Sequence, residues 1–388
     1  MFFNRFREAV ARLPDGLVRP GPPAAPAAIA AARRAFGAAM PAAFASFLQS
    51  FDGADLFHET IIVAGVGPGA PRTLAELNVD GASRELIFAE GVAGDRFAFD
   101  GRGRVLRLRA DSGDRVLAGT TFELWLDATV ARERVLYGPD GEFAPDAFDE
   151  DGEEIAPVVV VRQMERALKV DPGAAEAEHE RGVALRRLGK TARALEAFGR
   201  ATELDPDAPW IWFDLGRTAL EAAPAAGLDP ARALEAFQRA AALEAGPAAA
   251  RLHAWAARAA VAAGDEAAAA SARKAALALE PALLDSLLRA EAEARHEDDE
   301  PARAESEALR LALAPSSSPR RSLRVVEAPI EAAGGASPRR PATPAGGPAP
   351  PRATGGGLAP PRSAPQPRPS RGGRPRGGAS PRGRGPRR

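Results

Sequence analysis

Several groupings of residues in this protein have types and spacing that could do chemistry. Gly65-Val66-Gly67-Pro68-Gly69-Ala70 follows a strand-like run and satisfies a loose G-x-G-x-x-A, a pattern whose backbone amides can cradle a phosphate. Pro68 and Pro71 remove donors that would have to face that phosphate, and Leu74 to Leu77 is too short for a crossover helix. A surface loop is expected there. Asp146, Asp149, Asp151 and Gly152 share residue types with a calcium loop, but the acid spacing and the closing Glu are missing. Residues 140–157 are therefore expected to be a solvated acidic linker. His58, His179, His253 and His296 are dispersed, with no ligand partner at i+3 or i+4. There is no Cys, which removes disulfides, thiolate metal sites and cysteine nucleophiles, and there is no G-x-S-x-G elbow. No catalytic, cofactor or metal site is expected, and the sequence reads as a non-enzyme.

The elements that would position any functional group repeat themselves. Ala175 to Pro206 reads AEAEHERGVALRRLGKTARALEAFGRATELDP, two amphipathic helical segments joined at Leu188-Gly189-Lys190. Gly182, Leu185, Ala194, Phe198, Ala201 and Pro206 fall at the spacing of a helix-turn-helix unit about 34 residues long. Pro172 and Pro206 are one such period apart, as are Pro281 and Pro315, and LKVDP, TELDP, LALEP and LALAP write the same closing phrase. This pattern resembles the tetratricopeptide repeat from roughly Pro157 to Pro315. Small residues stand where paired helices cross, large ones fill the gaps, and proline closes each unit because it cannot continue a helix. One pair cannot bury its apolar face, so neighbours must stack.

The next unit starts near Pro209 with Trp212, Leu215 and Gly216, then Ala233, Phe237 and Ala240. The extra residues around Pro224 to Pro230 are expected as a longer loop. A further unit, Ala250 to Leu283, has Arg273 where Phe is expected, and the last, ending at Pro315, keeps little but its proline. Val158 to Val161 is strand-like in composition, but Met164, Ala167 and Pro172 occupy the columns of a second repeat helix. A helix capping the array is favoured.

The resemblance implies that the first helix of each pair lines a concave groove. Its outward columns fall on His179, Val183, Arg186 and Arg187, then Trp210, Phe213 and Arg217, then Arg251 and Arg258. Guanidinium forks hold carboxylates in bidentate geometry, so an acidic peptide or the C-terminus of a partner protein is the ligand these columns suggest. The competing reading is an ordinary Arg-rich solvated face. Trp212 reads as core.

Residues 1–139 have another pattern. Helical stretches at Phe2 to Leu13 and Ala27 to Phe36 precede a short helix begun by Pro41, in which Phe44, Phe47, Leu48 and Phe51 share one face. Strand-like runs follow at Thr60 to Ala64, Glu85 to Glu90, Arg96 to Phe99 and Val105 to Leu108, and a helix at Thr121 to Glu133 closes the region. This order predicts an α+β domain in which helices cover one face of a small antiparallel sheet. Met40-Pro41, Phe44, Phe47-Leu48, Phe51-Asp52-Gly53, then Ile87 to Phe97, then Phe122, Trp125 and Leu126 resemble the SUKH superfamily, the Smi/Knr-type domain, with Met40 and Asp52 where that family has Leu and Asn. The resemblance implies a non-enzymatic protein binder, of the bacterial toxin-immunity or the scaffold type.

The overall charge of −1 divides unevenly. Of 51 Lys+Arg and 52 Asp+Glu, 15 Arg and two acids lie after residue 315, which leaves the body at −14 and the tail at +13. The tail, 316–388, has no aromatics and few aliphatics and is expected to be disordered. Its RGG-like end suggests weak, salt-dependent, sequence-blind nucleic-acid binding; contact with the acidic body is equally compatible with its composition. The absence of Cys, of a leader and of an apolar span fits a cytoplasmic protein that meets no membrane. The expectation is thus an α+β domain (1–139), an acidic linker (140–157), an all-α repeat array (158–315) and a disordered tail. The function expected is protein recognition, with a nucleic-acid adaptor as the alternative.

Overall fold

The computed structural model describes residues 3–79, 85–149, 152, 154–226 and 230–314, all inside one compact unit that runs to Arg320. The N-terminal part contains α1 (Asn4–Val10), β1 (Val18–Pro20), α2 (Pro26–Phe36), α3 (Ala42–Leu48), β2 (Ala54–Leu56), β3 (Ile61–Val63) and α4 (Leu74–Leu77). It continues with β4 (Leu86–Gly91), β5 (Arg96–Phe99), β6 (Val105–Leu108), β7 (Arg115–Gly119) and α5 (Phe122–Glu133). The strands form one sheet in sequence order, each antiparallel to the next, a meander that needs no crossover.

The apolar stripe of α3 and that of α5 meet the inner face of this sheet in an aromatic core. Phe88 stacks on Phe99 at 4.1 Å, Trp125 stands edge-on to Phe88 at 5.0 Å, and Phe44 meets Phe122 at 5.1 Å. All five rings are buried, and such pairs contribute about 0.5–1.5 kcal/mol each beyond their burial. The sheet has β1, β2 and β7 in addition to the strands read from sequence. Three-residue VRP and ADL are too short to show a period of two, and Pro20 belongs to an edge.

The acidic segment is not the solvated linker expected. Phe143 stacks on Tyr137 at 4.9 Å, Phe148 meets Phe143 edge-on at 5.0 Å, Phe148 bridges to Ile155, and Ala147 is fully buried. These few apolar side chains pin the described part of 140–157 to the sheet body despite its charge.

The repeat array follows as α6 (Pro157–Val170), α7 (Ala175–Arg187), α8 (Thr191–Leu204), α9 (Pro209–Ala226), α10 (Pro230–Leu243), α11 (Gly246–Ala263), α12 (Glu266–Leu279), α13 (Leu283–His296) and α14 (Glu300–Leu313). The Val158 run is helical, with Pro157 in the first turn of α6. The insertion expected as a loop instead lengthens α9 to Ala226, and residues 227–229 lie outside the described residues. Glycine is required where paired helices cross: a Cβ on Gly182 would lie 2.7 Å from Phe198, and one on Gly216 2.9 Å from Phe237.

The second face of the sheet rests on this array. Leu106, Val116 and Leu117 share a buried cluster with Ala175, Ala201 and Ile211. Strand β7 is an edge, so its outward amides need partners, and the closing phrases of two repeats supply them. Asp171 accepts from the Thr120 N–H (2.7 Å) and hydroxyl (2.9 Å), and Asp205 accepts from the Leu117 N–H (2.9 Å). Arg107 on β6 donates to Asp95 (2.7 Å) and to Glu176 on α7. Burial pushes the Glu176 carboxyl up, but Arg107 and Arg132 outweigh it and hold it below the ordinary carboxylate range.

Candidate functional site

The glycine-rich loop already holds an anion, and that anion is a side chain of the protein. The carboxylate of Asp52, itself buried, accepts from the Val66 N–H (2.6 Å) and the Gly67 N–H (2.9 Å). The Val66 and Gly67 amides, which a phosphate would need, are therefore occupied by a side chain of the protein itself. Among the described residues no group of three or more His, Asp or Glu side chains is placed to hold a metal ion, and no helix is long and apolar enough to cross a membrane.

A cavity of about 290 Å³ lies between α9 and α11, the first helices of successive pairs. Trp210 and Phe213 from α9 and Arg251, Leu252 and Trp255 from α11 form its wall, and Glu244 and Glu305 stand at its rim. Phe213 meets Trp255 edge-on at 5.5 Å, and Phe237 backs both rings from below at 5.9 and 5.4 Å. The Arg258 guanidinium covers Trp255 at 4.9 Å from the ring centre, a cation–π contact. The pocket is apolar in its depth with one exposed guanidinium, Arg251, beside it. Such a shape takes an apolar or aromatic anchor and orients the rest of a ligand by a few polar groups.

The columns named from sequence are divided by the fold. Trp210, Phe213 and Arg251 come together in the pocket. His179 is buried beneath them, edge to face with Trp210 at 4.2 Å, its Nε2 2.8 Å from the Asp214 carboxylate. Arg186 donates to the same carboxylate (2.8 Å) and to the Thr218 hydroxyl (3.3 Å). Burial pushes the Asp214 carboxyl up, but the hydrogen bonds from His179 and Arg186 outweigh it and hold it below the ordinary range. Arg187 turns away to Glu154 (2.7 Å), and Arg217 is held by Glu221 (2.9 Å) and Glu305 (3.6 Å). The guanidinium forks expected to await a partner's carboxylates are thus mostly bonded within the protein itself. Trp212 is partly buried against the core, as its column implies, and donates to the Pro206 carbonyl at 2.9 Å.

Sequence reasoning missed Trp255, Leu252 and Glu305. Trp255 was open to inference, because it lies four residues after Arg251 on the same helical face. Glu305 was not, since the return of α14 towards α11 leaves no local periodicity.

Residues 175–218, which span α7, α8 and the first half of α9, match the family model described as the tetratricopeptide repeat. No curated protein matches the sequence. Among solved structures, the protein is similar to MamA from Desulfovibrio magneticus RS-1, with 20% identity over 40% of this chain and 85% of that one at a TM-score of 0.29. It is also similar to YrrB, described as a TPR protein with an unusual peptide-binding site, with 18% identity over 40% of this chain and 77% of that one at a TM-score of 0.28.

Proposed function

We propose that the protein is a non-enzymatic scaffold that grips other polypeptides, with the pocket between α9 and α11 as its grip. The observation that carries this is the pairing of an open aromatic wall, Trp210 and Phe213, with Arg251, while Arg186, Arg187 and Arg217 are spent on internal carboxylates. An apolar anchor residue fills the pocket, and a polar group beside it meets Arg251. The ligand is defined by its anchor first and by acidity second.

The finer reading makes the sheet body a SUKH-like protein-binding domain of the toxin-immunity or scaffold type. It is supported by the order of the blocks from Met40 to Leu126 and by the meander with helices on one face. Phe44, Phe47, Phe88, Phe122 and Trp125, which carry that likeness, are core residues, so they speak for a fold and leave the binding face undefined. The alternative, nucleic-acid association through the cationic tail, rests on residues 316–388, which lie outside the described residues.

Selection of peptides from a random display library on the full-length protein tests the grip. Enrichment of a recurring aromatic or aliphatic anchor is expected, with binding lost in Arg251→Glu combined with Leu252→Asp. Failure to enrich any motif, or equal binding to that variant, would refute it.

A further inference from the structure

Away from the groove, cations gather in a second place; Arg134 donates to the Tyr137 carbonyl, and the others have weak internal partners or none among the described residues. A cleft of about 720 Å³ opens where α1, the end of α5 and α6 meet. Arg5 and Arg12 of α1, Arg134 after α5, and Arg162, Arg166 and Lys169 of α6 line it. Positions 162, 166 and 169 are spaced i, i+4, i+7, which places three cations along one stripe of the helix. Among the described residues no carboxylate lies within ion-pair distance of Arg166 or Lys169. Arg162 reaches Asp146 (2.6 Å) in a pair exposed at both ends, and Arg12 stands 3.9 Å from an exposed Glu8. Such pairs are worth little and exchange readily. The acids of the cleft are Asp127, which faces Arg5, and Glu165, which also reaches Arg193 (3.5 Å). Cations therefore exceed acids there, on a body whose net charge is −14.

The lining between these charges is apolar, from Ala9, Leu13, Val130 and Val135. A cationic rim over an apolar lining matches an acidic amphipathic polypeptide, whose apolar side chains enter the cleft while its carboxylates meet guanidinium forks. A nucleic acid is the poorer match: the only ring in the lining is Tyr137, which is buried, so no base has a stacking platform.

We propose that this cleft is a second polypeptide-docking site, specific for an acidic segment with interspersed apolar residues on a partner protein. It shares no lining residue with the groove between α9 and α11, so the loss of one site leaves the other in place.

The test uses the full-length protein and a photo-crosslinking peptide built of Glu-Glu-Leu triplets, with its Gln-Gln-Leu counterpart and a duplex DNA competitor. Expected are crosslinks on residues 5–13 and 162–169 and a loss of affinity on adding salt. Arg166→Glu with Lys169→Glu should weaken binding about tenfold or more, and Arg5→Glu, on a separate helix, should weaken it independently, with thermal melts confirming that each variant folds. Crosslinks confined to residues after 315 would overturn the proposal, as would equal binding of the Gln peptide or unchanged affinity in both variants. Displacement of the peptide by DNA at matching charge concentration would overturn it in favour of a nucleic-acid ligand.

Discussion

Replacing Asp171 by Ala should loosen the sheet from the repeats, because this carboxylate, 1% exposed, accepts from three donors. Two come from Thr120 at the end of β7, at 2.7 and 2.9 Å, and the third is the Gly173 N–H at 3.2 Å. Hydrogen bonds to a charged group contribute about 1.5–3 kcal/mol each, and a donor left without an acceptor adds a penalty of its own. Against this stands relief of the cost of burying the carboxylate, so a net loss of about 2–4 kcal/mol is expected. Asp205→Ala removes one contact, the Leu117 N–H at 2.9 Å, from a half-buried carboxylate, and should cost about 1–2 kcal/mol. The ordering of the two variants is a check in itself. Hydrogen exchange of the Leu117 and Thr120 amides reads the contact directly, since both donate to carboxylates of the repeats, and urea unfolding reads the total. A double-mutant cycle of Asp171→Ala with Thr120→Val isolates the hydroxyl, with a coupling of about 1 kcal/mol expected. Unchanged protection of both amides in both variants, with the helices still folded, would mean that the repeats do not cap β7 in solution.

Gly182→Ala places a methyl 2.7 Å from the Phe198 ring in the tightest part of the α7–α8 crossing. It should lower stability by about 1–3 kcal/mol in urea unfolding, with the loss smaller when Phe198→Leu is already present; an unshifted midpoint would contradict the close approach. Asp214 predicts an acid-sensitive joint between α7 and α9, faced by His179, Arg186 and Thr218. Its folded pKa is depressed, so the stability it contributes is present above its unfolded pKa and is lost as pH falls through the folded value. The melting-temperature difference between the native protein and Asp214→Asn should hold near about pH 6 and shrink towards about pH 3; a difference independent of pH would refute the linkage.

The period of the array is legible because it is local. Gly182 and Phe198, or Gly216 and Phe237, sit within one helical pair, and the same packing need writes them at the same spacing each time. What the closing phrases do beyond turning the backbone is not local: Asp171 and Asp205 meet partners 51 and 88 positions away. One trace of it stands in the sequence, since Asp precedes Pro172 and Pro206 in the units that touch the sheet, whereas Glu280 and Ala314 stand there in the others. The two phrases whose carboxylate meets the edge strand and the residue after it are the two that write Asp. Most arginines of the groove columns are tied within the protein for a related reason. Helical spacing says which guanidinium groups share a face, but their charge is available to a partner only if no other helix brings an acid to them. Asp214 reaches Arg186 from the next repeat, and Glu305 reaches Arg217 from the last helix. Cations stay available where the fold brings few acids, and among the described residues the stripe of α6 facing α1 is one such place. Arg166 and Lys169 have the same local spacing as the columns of the groove, and the difference between them is made by their neighbours in space.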